Sequence, residues 1–135
     1  MPAHLLDTNI VSALMRDPDG PIAGHITRVG QLNVCTSIVV LAEVRFGIAR
    51  SRSRRLAAQL AAILGGLEVL PFAEPADVSY GELRSRLEQE GTPISANDML
   101  IAAHALSLGA TLVTDNEREF SRVQGLLVEN WLRGS

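Results

Sequence analysis

The chain contains no lysine: each of its 12 basic residues is an arginine. Against 15 acidic residues this leaves a formal net charge of −3, which excludes nucleic-acid binding driven by bulk positive charge. A single cysteine, Cys35, excludes an internal disulfide and a cysteine-based zinc cluster. It sits in a strand-like run and reads as core, and so thiol-poor a chain fits a reducing, cytoplasmic setting. Aromatic residues are scarce at 4%, namely Trp131, Tyr80 and three Phe. There is therefore no row of stacking platforms of the kind single-strand binders use. No apolar run approaches the roughly 18 residues of a membrane span. Met1 to Leu6 lacks the charged start and long apolar stretch of a secretion signal. The phosphate-cradling patterns G-x-x-x-x-G-K-[ST] and G-x-G-x-x-G are missing, and so is the G-x-S-x-G elbow of serine hydrolases.

What remains is a chain of 135 residues, 47% of them hydrophobic, enough for one domain with a substantial core. The domain is expected over residues 1–133, with Gly134-Ser135 set aside as a remnant of expression. Short apolar runs alternate with helical patterns. Strands are expected at 3–6, 32–36, 67–70, 111–114 and 127–129. Helices are expected from 8 or 9 to 16, then at 22–29, 37–50, 52–64, from 74 or 75 to 90, at 96–108 and at 117–123. The punctuation agrees: Asp17-Pro18-Asp19-Gly20 and Gly91-Thr92-Pro93 break helices, Gly65-Gly66 and Gly109 end them, and Ser37 and Ser95 are placed to cap them. Strands separated by helices predict an α/β fold, a mainly parallel sheet with helices on both faces. Chemistry in such sheets gathers beyond the carboxyl ends of the strands.

Four acids deserve that scrutiny. Asp7 follows the first strand and Asp115 the fourth, so both belong to one edge of the sheet. Each also has a local explanation: Asp is a favoured helix N-cap, and Asp-Asn is a turn signal. Glu43 lies within Ile38-Val39-Val40-Leu41-Ala42-Glu43-Val44, with Val39, Val40, Phe46 and Gly47 as its helical neighbours. A carboxylate on an apolar face needs a partner, with Arg45 and Arg50 within reach, or a metal ion. Asp98 shares its face with Ile101, Ala102 and Ala105, and it stands in a first helical turn where the dipole favours an anion. Asn97 beside it is polar support. Converging carboxylates repel one another unless a cation sits among them, and oxygen-only ligands suit Mg²⁺ or Mn²⁺ rather than zinc. His4, His25 and His104 show no ligand spacing, and His104 reads as structural. Arg45, Arg50, Arg52, Arg54 and Arg55 cluster within eleven residues, either as a solvated face or as phosphate contacts.

The ordered motifs resemble those of PIN-domain ribonucleases. Leu5-Leu6-Asp7-Thr8-Asn9 resembles their opening. Ser37-Ile38 through Glu43, ending in Arg45-Phe46-Gly47, resembles their second acidic helix. Ala96-Asn97-Asp98 with Ile101-Ala102-Ala103-His104-Ala105 resembles their third motif. Leu112-Val113-Thr114-Asp115-Asn116-Glu117-Arg118-Glu119-Phe120 resembles the fourth, and Val128-Glu129-Asn130-Trp131 the last strand. Within the superfamily the chain looks most like VapC-type toxins of bacterial toxin–antitoxin pairs. The resemblance implies a three-layer α/β/α PIN-like domain and Mg²⁺-dependent endonucleolytic cleavage of RNA, with Mn²⁺ as a substitute. It implies that Asp7, Glu43 and Asp98 hold the metal and that Thr8 supports the first acid. The fourth position is shared among Asp115, Asn116 and Glu119, with Asp115 taken as the catalytic candidate. A cognate antitoxin and a homodimer are implied as well. Two rivals remain. A phosphatase or receiver domain is disfavoured by the lack of Asp-x-Asp after the first strand and the lack of lysine. A PIN-like module that binds RNA or protein without cleaving would dispense with the acids.

Overall fold

Five runs of β-formers, each too short to stand alone, pair into one sheet. The computed structural model describes residues 2–133, so the expected remnant at Gly134-Ser135 lies outside the described residues. The strands are β1 (His4–Leu6), β2 (Val34–Ser37), β3 (Glu68–Leu70), β4 (Thr111–Val113) and β5 (Val128–Glu129). They lie in the order β3-β2-β1-β4-β5, and every pairing is parallel. Parallel neighbours need crossovers, which helices supply. These are α1 (Thr8–Arg16) and α2 (Pro21–Val29), α3 (Ile38–Ser51) and α4 (Arg54–Leu64), α5 (Ala76–Gln89) and α6 (Ala96–Leu108), and the short α7 (Glu117–Phe120). The expected α/β class and parallel sheet are thus observed.

The central strands are buried on both sides, which is why they are apolar without alternation. Leu5, Leu6, Cys35, Leu112 and Val113 are fully buried. Burial pushes the Cys35 thiol up to about 12, so it behaves as an inert core residue. Around the sheet α1 buries Ile10, Val11, Leu14 and Met15, and α6 buries Ile101, Ala102 and Ala105. Truncating such a residue, Leu112→Ala for example, costs about 2–5 kcal/mol.

Serine caps fix the starts of three helices. Ser37, Ser53 and Ser95 accept hydrogen bonds from the amides of Val39, Leu56 and Asp98. Ser37 does more: its Oγ lies 2.7 Å from Nδ1 of His104, which is buried and meets the ring of Phe72 edge-on. Burial lowers the His104 pKa and keeps the ring neutral. His104 thereby ties α6 to the start of α3, the structural role its spacing predicts.

Most boundaries move from expectation by a residue or more, and two of the shifts have a local cause. The strand expected from residue 32 begins at Val34, because Gly30 turns the chain at a φ of 97° and Gln31–Asn33 form a 3₁₀ turn. Leu32 is left 92% exposed instead of entering the sheet. The last helix closes at Phe120 rather than 123, its core anchor being Phe120 itself.

The strand order defines where a site can form. From β1 the chain moves one way, to β2 and β3, and then crosses back to place β4 on the other side of β1. The carboxyl ends of β1 and β4 flank that switch point, where crevices open in such sheets.

Candidate active site

Asp7 stands directly beyond β1 at this crevice and is 3% exposed. It occupies the N-cap position of α1, yet its side chain makes no cap hydrogen bond. Instead Oδ2 accepts a 2.7 Å hydrogen bond from the hydroxyl of Thr114, a fully buried residue beyond β4. The other oxygen, Oδ1, is buried without any hydrogen-bond partner. Burial raises the Asp7 pKa; the Thr114 hydroxyl and the nearby Thr8 amide oppose that, and the charge of Glu43 adds to it. An acceptor left idle inside a protein is costly unless something else satisfies it.

Glu43 reaches the same crevice from α3. Oε1 accepts from Thr8 Oγ1 at 2.7 Å and Oε2 from Asn97 Nδ2 at 3.0 Å. The carboxylate thus bridges the first turns of α1 and α6. It is half-buried rather than buried, because Phe46, expected to share an apolar face with it, is exposed. Its partners are a hydroxyl and an amide, and among the described residues neither Arg45 nor Arg50 forms an ion pair with it.

Asp98 stands three residues after the capping Ser95 in the first turn of α6 and is half-buried. Its pKa is raised to about 6, first by burial, with the Ser95 hydroxyl opposing. The charge of Asp7 and the neighbouring Glu119 carboxyl push it further. Glu119, on α7, accepts a 3.0 Å hydrogen bond from Asn116 Nδ2. The backbone N–H of Asn116 in turn donates to Thr114 Oγ1 at 3.0 Å, so one hydroxyl links both halves of the pocket.

Asp115 does not join this group. It is exposed; its amide donates to Asn9 Oδ1 at 3.1 Å and its Oδ1 accepts from Asn130 Nδ2 at 2.9 Å. The reason is alternation beyond the strand end. Thr114 takes the inward place, so the next side chain turns outward. Of the three candidates for the fourth position, the structure brings Glu119 to Asp98 and gives Asn116 the task of holding it. Sequence reasoning missed Thr114 as the hub; its signal was a hydroxyl residue directly ahead of the Asp-Asn turn.

A hollow of about 1090 Å³ runs along α5, but none of these acids lines it, so chemistry rather than volume marks the site. Among the described residues no three acids, histidines or cysteines already stand close enough together to hold a metal ion. The donor set nonetheless fits a hard divalent cation. It is all oxygen, it includes one idle buried carboxylate oxygen, and burial together with neighbouring carboxylates raises the pKa of Asp7 and Asp98.

The arginines lie at the end of α3 and the start of α4. Arg45, Arg50, Arg52, Arg54 and Arg55 are all exposed. Arg52 closes α3 at a φ of 56°, a left-handed position usually taken by glycine.

An acidic crevice at the switch point of a parallel α/β sheet belongs to the class of sites suited to an oxygen-ligated divalent cation, and the comparisons with known proteins give it a family. The profile of the PIN domain matches residues 4–126. Ribonuclease VapC2 of Rickettsia felis is 39% identical over 130 residues, covering 95% of this chain and 97% of the relative. The tRNA(fMet)-specific endonuclease VapC of Salmonella typhimurium is 34% identical, covering 94% and 96%. The crystal structure of VapBC2 from Rickettsia felis bound to a DNA fragment from its promoter superimposes with a TM-score of 0.86 at 36% identity, covering 96% of this chain and 98% of that one. The chain belongs to the PIN-domain family, among its VapC-type endoribonuclease toxins. PIN-domain ribonucleases depend on divalent metal ions in general. No described helix is long and apolar enough to cross a membrane.

Proposed function

We infer that the chain is the endoribonuclease toxin of a type II toxin–antitoxin pair, and that it hydrolyses RNA phosphodiester bonds with Mg²⁺ held by Asp7, Asp98 and Glu43. The observation that carries the site assignment is the idle, buried Oδ1 of Asp7 in one crevice with the Asp98 carboxyl, whose pKa is raised to about 6. When bound, the ion supplies Lewis-acid polarisation and a water of lowered pKa, the chemistry that phosphodiester hydrolysis needs. Mn²⁺, also satisfied by oxygen donors, is the expected substitute.

The protein groups divide the remaining work. Thr114 holds Oδ2 of Asp7 and leaves Oδ1 without a partner. Thr8 and Asn97 hold Glu43 by both oxygens and so set the width of the crevice. Glu119, steadied by Asn116, faces Asp98 and takes the fourth position in place of Asp115. Having no ion-pair partners among the described residues, the arginines from Arg45 to Arg55 are the phosphate contacts, offsetting a pocket that otherwise repels RNA. An antitoxin that neutralises the pocket and a homodimer complete the assembly, and the cytoplasm is the place of action. The antitoxin is supported by the toxin–antitoxin complexes among the similar structures.

The test is cleavage of a total RNA pool by the purified chain with Mg²⁺, with Mn²⁺ and with chelator, beside Asp7→Ala. Discrete cuts that need metal and vanish in the variant are expected. A folded, metal-binding chain that cuts no RNA in such a pool overturns the assignment.

A further inference from the structure

We propose that Phe46 and Arg50, on α3 beyond Glu43, form a stacking subsite for an unpaired base of the RNA substrate. The inference rests on the endoribonuclease reading and narrows its substrate to single-stranded or looped RNA. Phe46 is 63% exposed, whereas Phe120 is fully buried and Phe72 packs against the core. Core packing therefore does not account for it. Its ring carries the Arg50 guanidinium at 5.2 Å from the centroid. Ala42 and Ala49, four residues before and three after, are exposed and small, which leaves the ring accessible along the helix. Glu43 lies three residues before it on a neighbouring position, so a base on the ring belongs to the strand that enters the acidic crevice.

The charge around the ring identifies the occupant. Arg45, Arg50, Arg52, Arg54 and Arg55 are exposed, and among the described residues none makes an ion pair. Arg54 and Arg55 also open α4, where the helix dipole is positive and disfavours cations unless an anion is present. A polyanion with free aromatic faces satisfies both features at once: phosphates meet the arginines and a base meets the ring. Duplex RNA offers the phosphates only, because its bases are stacked inside. A second copy of the chain packed symmetrically on this face would bring its own arginine cluster against the first.

The experiment uses the full chain carrying Asp7→Asn to suppress cleavage. Fluorescence anisotropy compares a labelled single-stranded oligoribonucleotide with the blunt duplex of the same sequence. Adding Phe46→Ala should weaken single-strand binding about tenfold and leave duplex binding unchanged, while Phe46→Trp should keep or tighten it. In the cleaving protein, Phe46→Ala should raise KM with little change in kcat. Single-strand binding unaffected by Phe46→Ala, or an equal loss on both probes, overturns the subsite. So does a Phe46→Ala variant that changes from dimer to monomer in sedimentation, which assigns the ring to self-contact. Normal cleavage with unchanged Phe46→Ala binding removes only the stacking proposal; absence of cleavage in the parent protein removes the enzyme reading itself.

Discussion

Asp7 and Asp115 both lie at the carboxyl edge of the paired strands β1 and β4, yet they end in opposite conditions. Asp7 is buried with one oxygen idle and its pKa raised. Asp115 is exposed, its carboxylate engaged by Asn130 and its amide by Asn9. One residue of offset separates them. Asp7 is the first residue past β1, whereas Thr114 intervenes past β4 and takes the inward position. A strand-end acid becomes chemically available when the fold buries it without using up its oxygens. Placement at the sheet edge is necessary for that and insufficient.

Breaking the comparison requires the two acids to be changed alike. Asp7→Asn should lower the RNA cleavage rate at least about a hundredfold, since several kcal/mol of charge stabilisation depend on it. Asp115→Asn should stay within about threefold of the parent. Equal losses in steady-state rates would erase the distinction drawn between them. Glu119→Gln sharpens it next. If Glu119 rather than Asp115 completes the pocket, calorimetry should show metal binding weakened about ten- to a hundredfold, with Asp115→Asn near the parent.

The smallest effect concerns proton linkage. The folded pKa of Asp98, about 6, lies above the unfolded 3.8, so between these values the folded state holds a proton that the unfolded chain has released. This acid therefore favours folding below about pH 4, and its contribution turns unfavourable as pH rises to about 6. Asp98→Asn should stabilise the metal-free protein at pH 7.5 by about 1 kcal/mol, a figure discounted because the group is half open to solvent. At pH 4 it should do nothing. Thermal unfolding at the two pH values decides; equal shifts at both would mean that Asp98 is not strained by its neighbours.

The sequence made two helix starts legible because their caps are local: Ser37 and Ser95 each satisfy an amide two or three residues on, whereas Ser53, the cap of α4, was passed over. Strand positions were legible because buried parallel strands are apolar throughout, as in Leu5-Leu6 and Leu112-Val113. Asp7, Glu43 and Asp98 could be singled out, since an acid after a strand or among apolar helical neighbours is out of place. The choice between Asp115 and Glu119 was not legible. It depends on which side chain points inward after β4 and on a helical turn that returns Glu119 to Asp98, both of which are properties of the assembled crevice. The exposure of Phe46 was hidden for the same reason, because neighbours on one helix do not reveal where the helix meets its partners.

The bond between Thr114 and Asp7 joins residues 107 positions apart. On a ribosome adding about 5–20 residues per second, the anchor of the first acid emerges roughly 5–20 s after that acid does. Until then β1 has no β4 beside it, and Glu119 has yet to be made. A nascent or prematurely terminated chain therefore carries three of the acids without the pocket. A cell translating this chain meets the complete pocket only once Thr114 and Glu119 have been made, an interval in which a partner already present can reach the newly folded surface first.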